Sequence, residues 1–174
     1  ICVTTVTCTA TDTATNSANC TFTVTVRDLT LPVITCPTNI LANTDAGQCS
    51  RSNVTWTATA IDNCDPNPAV LCVPPSGSTF PVGLTIVNCT AVDAAGNTNS
   101  CSFTVTVRDT EPPQISCPTN ITVEFTSTNG AAVLFAAKAT ENCAGTVDIN
   151  CVPPSGSTFP IGTTMVLCTA TDGA

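Results

Sequence analysis

Apolar and polar residues alternate through much of this chain. Between residues 20 and 26, Cys20, Phe22, Val24 and Val26 share one parity while Thr21, Thr23 and Thr25 take the other. That is the period of a β-strand with one buried face. The same rhythm runs from 54 to 60, where Val54, Trp56, Ala58 and Ala60 oppose Thr55, Thr57 and Thr59. It predicts one strand there with Trp56 as the core plug, and Phe135 takes the matching place further on. Residues 1–28 predict a hairpin turning at Asp12 to Asn16. Two strands alone cannot bury its apolar face, so something outside those residues must cover it. VITCPTNILAN predicts a first strand interrupted at Pro37, as suits a sheet edge. PPSGSTFPVG reads as a turn-rich passage, and DAAGN (93–97) turns LTIVNCTAV back into SCSFTVTV.

These phrases recur. Residues 1–28 copy the second half of Cys72 to Asp109, and CVPPSGSTFPIGTTMVLCTATD (151–172) copies its first half. The chain divides into the C-terminal half of a repeat (1–28), a complete repeat (29–109) and a third (110–174) that ends where the others enter their last strand. A period of about 80 residues is too long for a helical solenoid and suits a small β-sandwich. Proline-bearing joints, Leu29 to Pro32 and Thr110 to Pro113, follow each VRD. Such short, stiff joints predict a semi-rigid rod.

Composition narrows the chemistry. Charged residues make up 9% of the chain, histidine and tyrosine are absent, and thirty-five residues are threonine. Thr and Val favour strands. A net charge of -8 with four Lys and Arg argues against nucleic acid, and no apolar run has the length to span a bilayer. Without histidine, a nucleophile elbow or a phosphate loop, the sequence predicts no catalysis and no cofactor. Thirteen cysteines at fixed places in the repeat point to disulfides and so to an extracellular or cell-surface location. There is no CxxC pair to suggest metal binding by cysteine.

The phrases ITCPTNI, SGSTFPVG, VNCTAVDAAGN and CSFTVTVRD together resemble the hyalin repeat, across essentially the whole chain. The resemblance implies an extracellular immunoglobulin-like β-sandwich, membership in surface and matrix proteins linked to adhesion, and no catalysis. Alternating strands with turns every 8 to 12 residues lead separately to the same fold class: all-β, tandem immunoglobulin-like sandwiches with intradomain disulfides. Cys2 departs from the pattern, standing where Gly83 and Gly162 stand in the other copies.

Strand phase pairs Cys72 with Cys89 and Cys151 with Cys168; the alternative joins Cys89 to Cys101 across the hairpin. Cys36 with Cys101 is the next choice, since both fall near one pole of the domain. Cys49 and Cys64 flank one predicted strand and are too far apart to bond if it is straight. One hypothesis joins Cys49 to Cys143 of the next repeat, but the sequence leaves the partners of Cys2, Cys49, Cys64 and Cys143 open, and the third repeat has no counterpart of Cys49.

Asp62, Asp65, Asp93, Asp109 and Glu111 lie in loops or linkers, where calcium could bridge tandem domains. Lacking the ligand-dense spacing of an EF-hand, they read as solvated loop acids, and no metal is expected. Four N-x-Ser/Thr sequons, at Asn19, Asn53, Asn88 and Asn120, neighbour inward residues and should point outward as acceptors for covalent glycans. The expected role is an extracellular structural array whose partners are neighbouring copies of the repeat, head to tail, without nucleic acid or membrane insertion. The half-repeat at 1–28 is completed either by another chain or, more simply, by continuous polypeptide, because residues 1–12 and 162–171 supply the same strand. An adhesion or ligand-binding stalk and a spacer within a larger secreted protein are the alternatives.

Overall fold

The computed structural model describes residues 2–125, 127–143 and 145–173. Ile1 and Ala174, the outermost residues of the first and third repeats, lie outside the described residues. The first repeat contributes β1 (Cys2–Thr11) and β2 (Ser17–Val26). The second runs through β3 (Val33–Thr35), β4 (Ile40–Asn43), β5 (Ser50–Val54), β6 (Thr59–Ile61), β7 (Ala69–Val73) and β8 (Ser78–Pro81) to the long pair β9 (Gly83–Val92) and β10 (Thr98–Arg108). The third holds β11 (Gln114–Ser116), β12 (Ala131–Ala132), β13 (Lys138–Thr140), β14 (Asp148–Val152), β15 (Thr158–Phe159) and β16 (Leu167–Thr171). The fold is all-β, and the described residues contain no helix. The chain forms two compact units, one from residues 1–39, 55–78 and 86–104 and the other from 40–54, 79–85 and 105–174.

The hairpins owe their turns to aspartate. Asp93 Oδ1 accepts the amides of Ala95 (2.9 Å) and Asn97 (2.8 Å), and its Oδ2 accepts Asn97 Nδ2 at 2.7 Å. Asp12 binds Ala14 and Asn16 in the same way between β1 and β2. The residue that must adopt a positive φ is Gly96 (90°) in one turn and Thr15 (70°) in the other. A β-branched residue adopts that conformation only at a cost.

Pro37 splits the first strand of the second repeat, and its two pieces join different sheets. Before it, β3 pairs antiparallel with β6. After it, β4 pairs parallel with β10, Val105 opposite Ile40, and forms the edge of a sheet ordered β4-β10-β9-β7. The alternation of β9 and β10 becomes burial: Val87, Cys89, Ala91, Phe103, Val105 and Val107 are all buried while their neighbours face out.

Two expectations about the core change. The single strand predicted through Trp56 is two strands: β5 pairs with β8, β6 pairs with β3, and residues 55–58 belong to neither. At the break the Ser76 hydroxyl accepts the Trp56 amide (2.9 Å) and donates to the Trp56 carbonyl (3.0 Å), so a side chain satisfies the backbone that left the ladder. Ser155 does the same for Phe135. Trp56 is half-buried, with its ring edge-on to Phe103 at 5.3 Å. The large, fully enclosed side chain is Phe80, 1% exposed, from the passage read as turn-rich, which contains strand β8.

The third repeat reuses this plan. β11 with β13 corresponds to β3 with β6, and β12 with β15 to β5 with β8. The register that sets Cys72 opposite Cys89 recurs with Cys151 opposite Cys168. Among the described residues its only buried apolar side chain is Ala131.

Truncating Phe103 to alanine should lower unfolding stability by about 3–5 kcal/mol, read from urea titration, whereas Leu71→Ala, at a 68% exposed site, should change it by less than about 0.5 kcal/mol.

Candidate functional site: the joint between repeats

The chemistry-bearing residues gather at the joints between repeats. Where the second repeat meets the third, within one compact unit, the linker residue Glu111 reaches back to the loop between β4 and β5. Both its carboxylate oxygens accept the Gly47 amide (3.0 and 2.9 Å), and it also accepts Asn142 Nδ2 at 2.8 Å. Asn142 stands beside Cys143, which is bonded to Cys49 with a Cα–Cα distance of 4.9 Å. One carboxylate and one disulfide thus tie a loop of the second repeat to a loop of the third. The loop is itself braced by Asp45, which accepts the Ser52 hydroxyl (2.6 Å) and amide (2.7 Å) and pairs with Arg51 at 3.1 Å.

Within the repeats, Cys72 is bonded to Cys89 and Cys151 to Cys168, each pair at a Cα–Cα distance of 4.0 Å across adjacent strands. Cys36 is bonded to Cys101 at 6.0 Å, so Cys101 does not join Cys89. Cys2, Cys8, Cys20, Cys64 and Cys117 are free and exposed. Cys64 is free and Cys49 is bonded to Cys143, and the strand predicted between them is broken.

The loop acids act chiefly as caps for local backbone. Asp62 Oδ2 accepts the amides of Cys64 and Asp65, Asp65 accepts those of Asn67 and Ala94, and Asp109 accepts that of Glu111. Two groups offer three ligand atoms within 4.8 Å of one another: Asp28, Asp62 and Cys64 at the first joint, and Asp109, Glu141 and Asp172 at the second. The second group, all carboxylate, has the donor type of a hard cation such as calcium. The four sequon residues Asn19, Asn53, Asn88 and Asn120 are exposed, and Asn53 has a positive φ of 51°.

Electrostatics at these places favours ionised aspartates. Hydrogen bonds from the Ser52 side chain and amide, with Arg51, hold Asp45 below the usual carboxylate range. Burial pushes Asp93 up, but hydrogen bonds from Asn97, Ala95 and Gly96 outweigh it, so its pKa is also lowered. The Cys64 thiol is pushed up by desolvation and by the charges of Asp28 and Asp62, so it stays protonated and weakly nucleophilic near neutral pH.

The Glu111 latch was missed in the sequence, where Glu111 reads as one loop acid among several. The only signal is that ENC (141–143) copies DNC (62–64), which marks that loop as a recurring structural feature.

The HYR domain family model matches residues 27–107 and again residues 108–174. Hyalin of Strongylocentrotus purpuratus is 38% identical over 164 residues, covering 89% of this chain and 14% of that protein. Sushi, von Willebrand factor type A, EGF and pentraxin domain-containing protein 1 of Rattus norvegicus is 34% identical over 150 residues, covering 84% of this chain and 4% of that protein. Among solved structures, the protocadherin Gamma B7 extracellular cadherin domains 1-4 align at a TM-score of 0.42 and 13% identity, over 98% of this chain and 49% of that one. The chain thus spans a small fraction of the curated relatives it matches.

Because Asp45 and Asp93 have lowered folded pKa values, their stabilisation is present above the unfolded value of about 4 and is lost as pH falls through the folded values. Urea midpoints should be level between pH 7 and 5 and fall below about pH 4, with a smaller fall in Asp45→Asn. A midpoint that rises on acidification would contradict this assignment.

Proposed function

The chain belongs to the HYR domain family of extracellular, adhesion-related proteins and lies outside the cell or at its surface, and from that premise we propose that it is a load-bearing segment of a tandem array, a semi-rigid rod of β-sandwich repeats. The observation that carries this reading is the joint. A flexible linker would let successive repeats swing freely, but here the Cys49–Cys143 disulfide and the Glu111 carboxylate fasten one repeat's loop to the next. A covalent tie spanning 94 residues of sequence removes much of the freedom of the intervening chain.

Neighbouring repeats, head to tail, are the partners in this reading, and the axial period of the array equals the length of one repeat. The exposed sequons Asn19, Asn53, Asn88 and Asn120 would carry covalent glycans along the sides of the rod. The role needs no cofactor and no catalysis.

Small-angle scattering and electron microscopy of the oxidised chain should give elongated particles with a narrow spread of lengths. The double variant Cys49→Ser, Cys143→Ser, with Glu111→Ala added, should keep the intradomain disulfides while the distribution of lengths broadens. An unchanged distribution would mean that the joint does not set stiffness, and a compact particle would remove the rod altogether.

A further inference from the structure

Three acids from widely separated stretches meet where the second repeat joins the third. Asp109 closes the second repeat, Glu141 follows β13 and Asp172 follows β16, all within one compact unit. One carboxylate oxygen from each lies within 4.8 Å of the others, and none of the three residues is exposed. Two oxygens held by one calcium ion at about 2.4 Å stand at most about 4.8 Å apart, so the spacing suits a shared ion.

A second observation singles out the same place. Glu141 Oε1 accepts the Asn142 amide at 2.6 Å, but Glu141 Oε2 is buried and has no hydrogen-bond partner. An anionic oxygen shut off from water without a partner is costly. Among the described residues three buried side-chain oxygens are orphaned in this way: Thr44 Oγ1, Asp62 Oδ1 and Glu141 Oε2. Two of them share one position in the repeat, since Asp62 begins DNC (62–64) as Glu141 begins ENC (141–143). Asp62 also has the matching neighbour, because it is grouped with Asp28, which ends its VRD as Asp109 ends the next. A chance packing fault has no reason to recur in register.

We propose that Asp109, Glu141 and Asp172 form a binding site for a hard divalent cation of the calcium type, with Glu141 Oε2 as the ligand atom that the fold leaves open. Three carboxylates supply the charge, and water or backbone carbonyls complete the roughly six to eight oxygens such an ion takes. The ion would brace the latch beside it. Asp109 Oδ1 accepts the Glu111 amide at 3.1 Å, and Asn142, next to Glu141, donates to the Glu111 carboxylate. No local spacing announces this site, because its ligands come from three distant segments. Cation binding stands without the rod reading, and only its effect on stiffness rests on that reading.

The test titrates the oxidised full chain, first stripped with a chelator, with calcium chloride. Calorimetry should show saturable binding with a dissociation constant of about 10⁻⁴–10⁻³ M, the range of extracellular calcium modules. With calcium in excess, peptide-resolved amide exchange should slow at residues 109–111 and 141–143. Glu141→Gln, and separately Asp172→Asn, should weaken binding at this joint by about tenfold or more and abolish the slowing. Asp148→Asn, at an exposed acid on β14 of the same repeat, should leave both unchanged. Retained Cys49–Cys143 and Cys151–Cys168 bonds in non-reduced peptide maps would show that each variant has folded. The assignment is overturned if exchange at these residues ignores calcium, or responds equally in Glu141→Gln. An equal loss in Asp148→Asn would also overturn it, since that marks diffuse charge attraction. If calcium binds here while particle length stays the same with and without it, the site holds and only its link to stiffness falls.

Discussion

The structure depends on covering one apolar strand face. In β9 and β10 the buried Val87, Cys89, Ala91, Phe103, Val105 and Val107 alternate with more exposed neighbours, so the hairpin has a dry face that it cannot bury by itself. In the second repeat β4 and β7 extend the sheet along the two edges of the hairpin, and its apolar face is buried, as is Phe80 of β8. Where the same hairpin occurs as β1 and β2 the register is intact and the side chains stand in solvent. Pleat geometry sets which face of the hairpin is apolar, and in the second repeat burial of that face comes with the other half of the repeat.

Cysteine makes up for the small core. With few aromatic residues, a repeat of this size buries little apolar surface, and small extracellular domains commonly add covalent ties for that reason. The cysteines here serve two levels of structure. Cys72–Cys89, Cys151–Cys168 and Cys36–Cys101 close sheets within repeats, whereas Cys49–Cys143 joins one repeat to the next.

Polar residues are used economically beside this frame. Asp12 and Asp93 each shape a hairpin turn, Ser76 and Ser155 each close the break between two strands, and Asp45 braces the loop that Glu111 holds. All of them satisfy backbone groups that strand pairing leaves open, which explains why acids that look like candidate ligands in the sequence are engaged as caps in the fold.

The sequence by itself determined the repeat, the all-β class and the strand faces, because the alternation of threonine with apolar residues is a local consequence of pleat geometry. The pairing of Cys72 with Cys89 follows from the same phase and from neighbouring strands. Other features were decided only by tertiary structure. At the break after Val54 the Trp56 backbone is capped by Ser76, twenty residues beyond Trp56; Phe80, on the strand that pairs with β5, is more buried than Trp56; and the carboxylate of Glu111 meets Gly47, 64 residues earlier in the chain. Each is a contact between segments distant in sequence, and periodicity encodes which face of a strand is apolar but carries no record of which distant backbone or side chain will meet it.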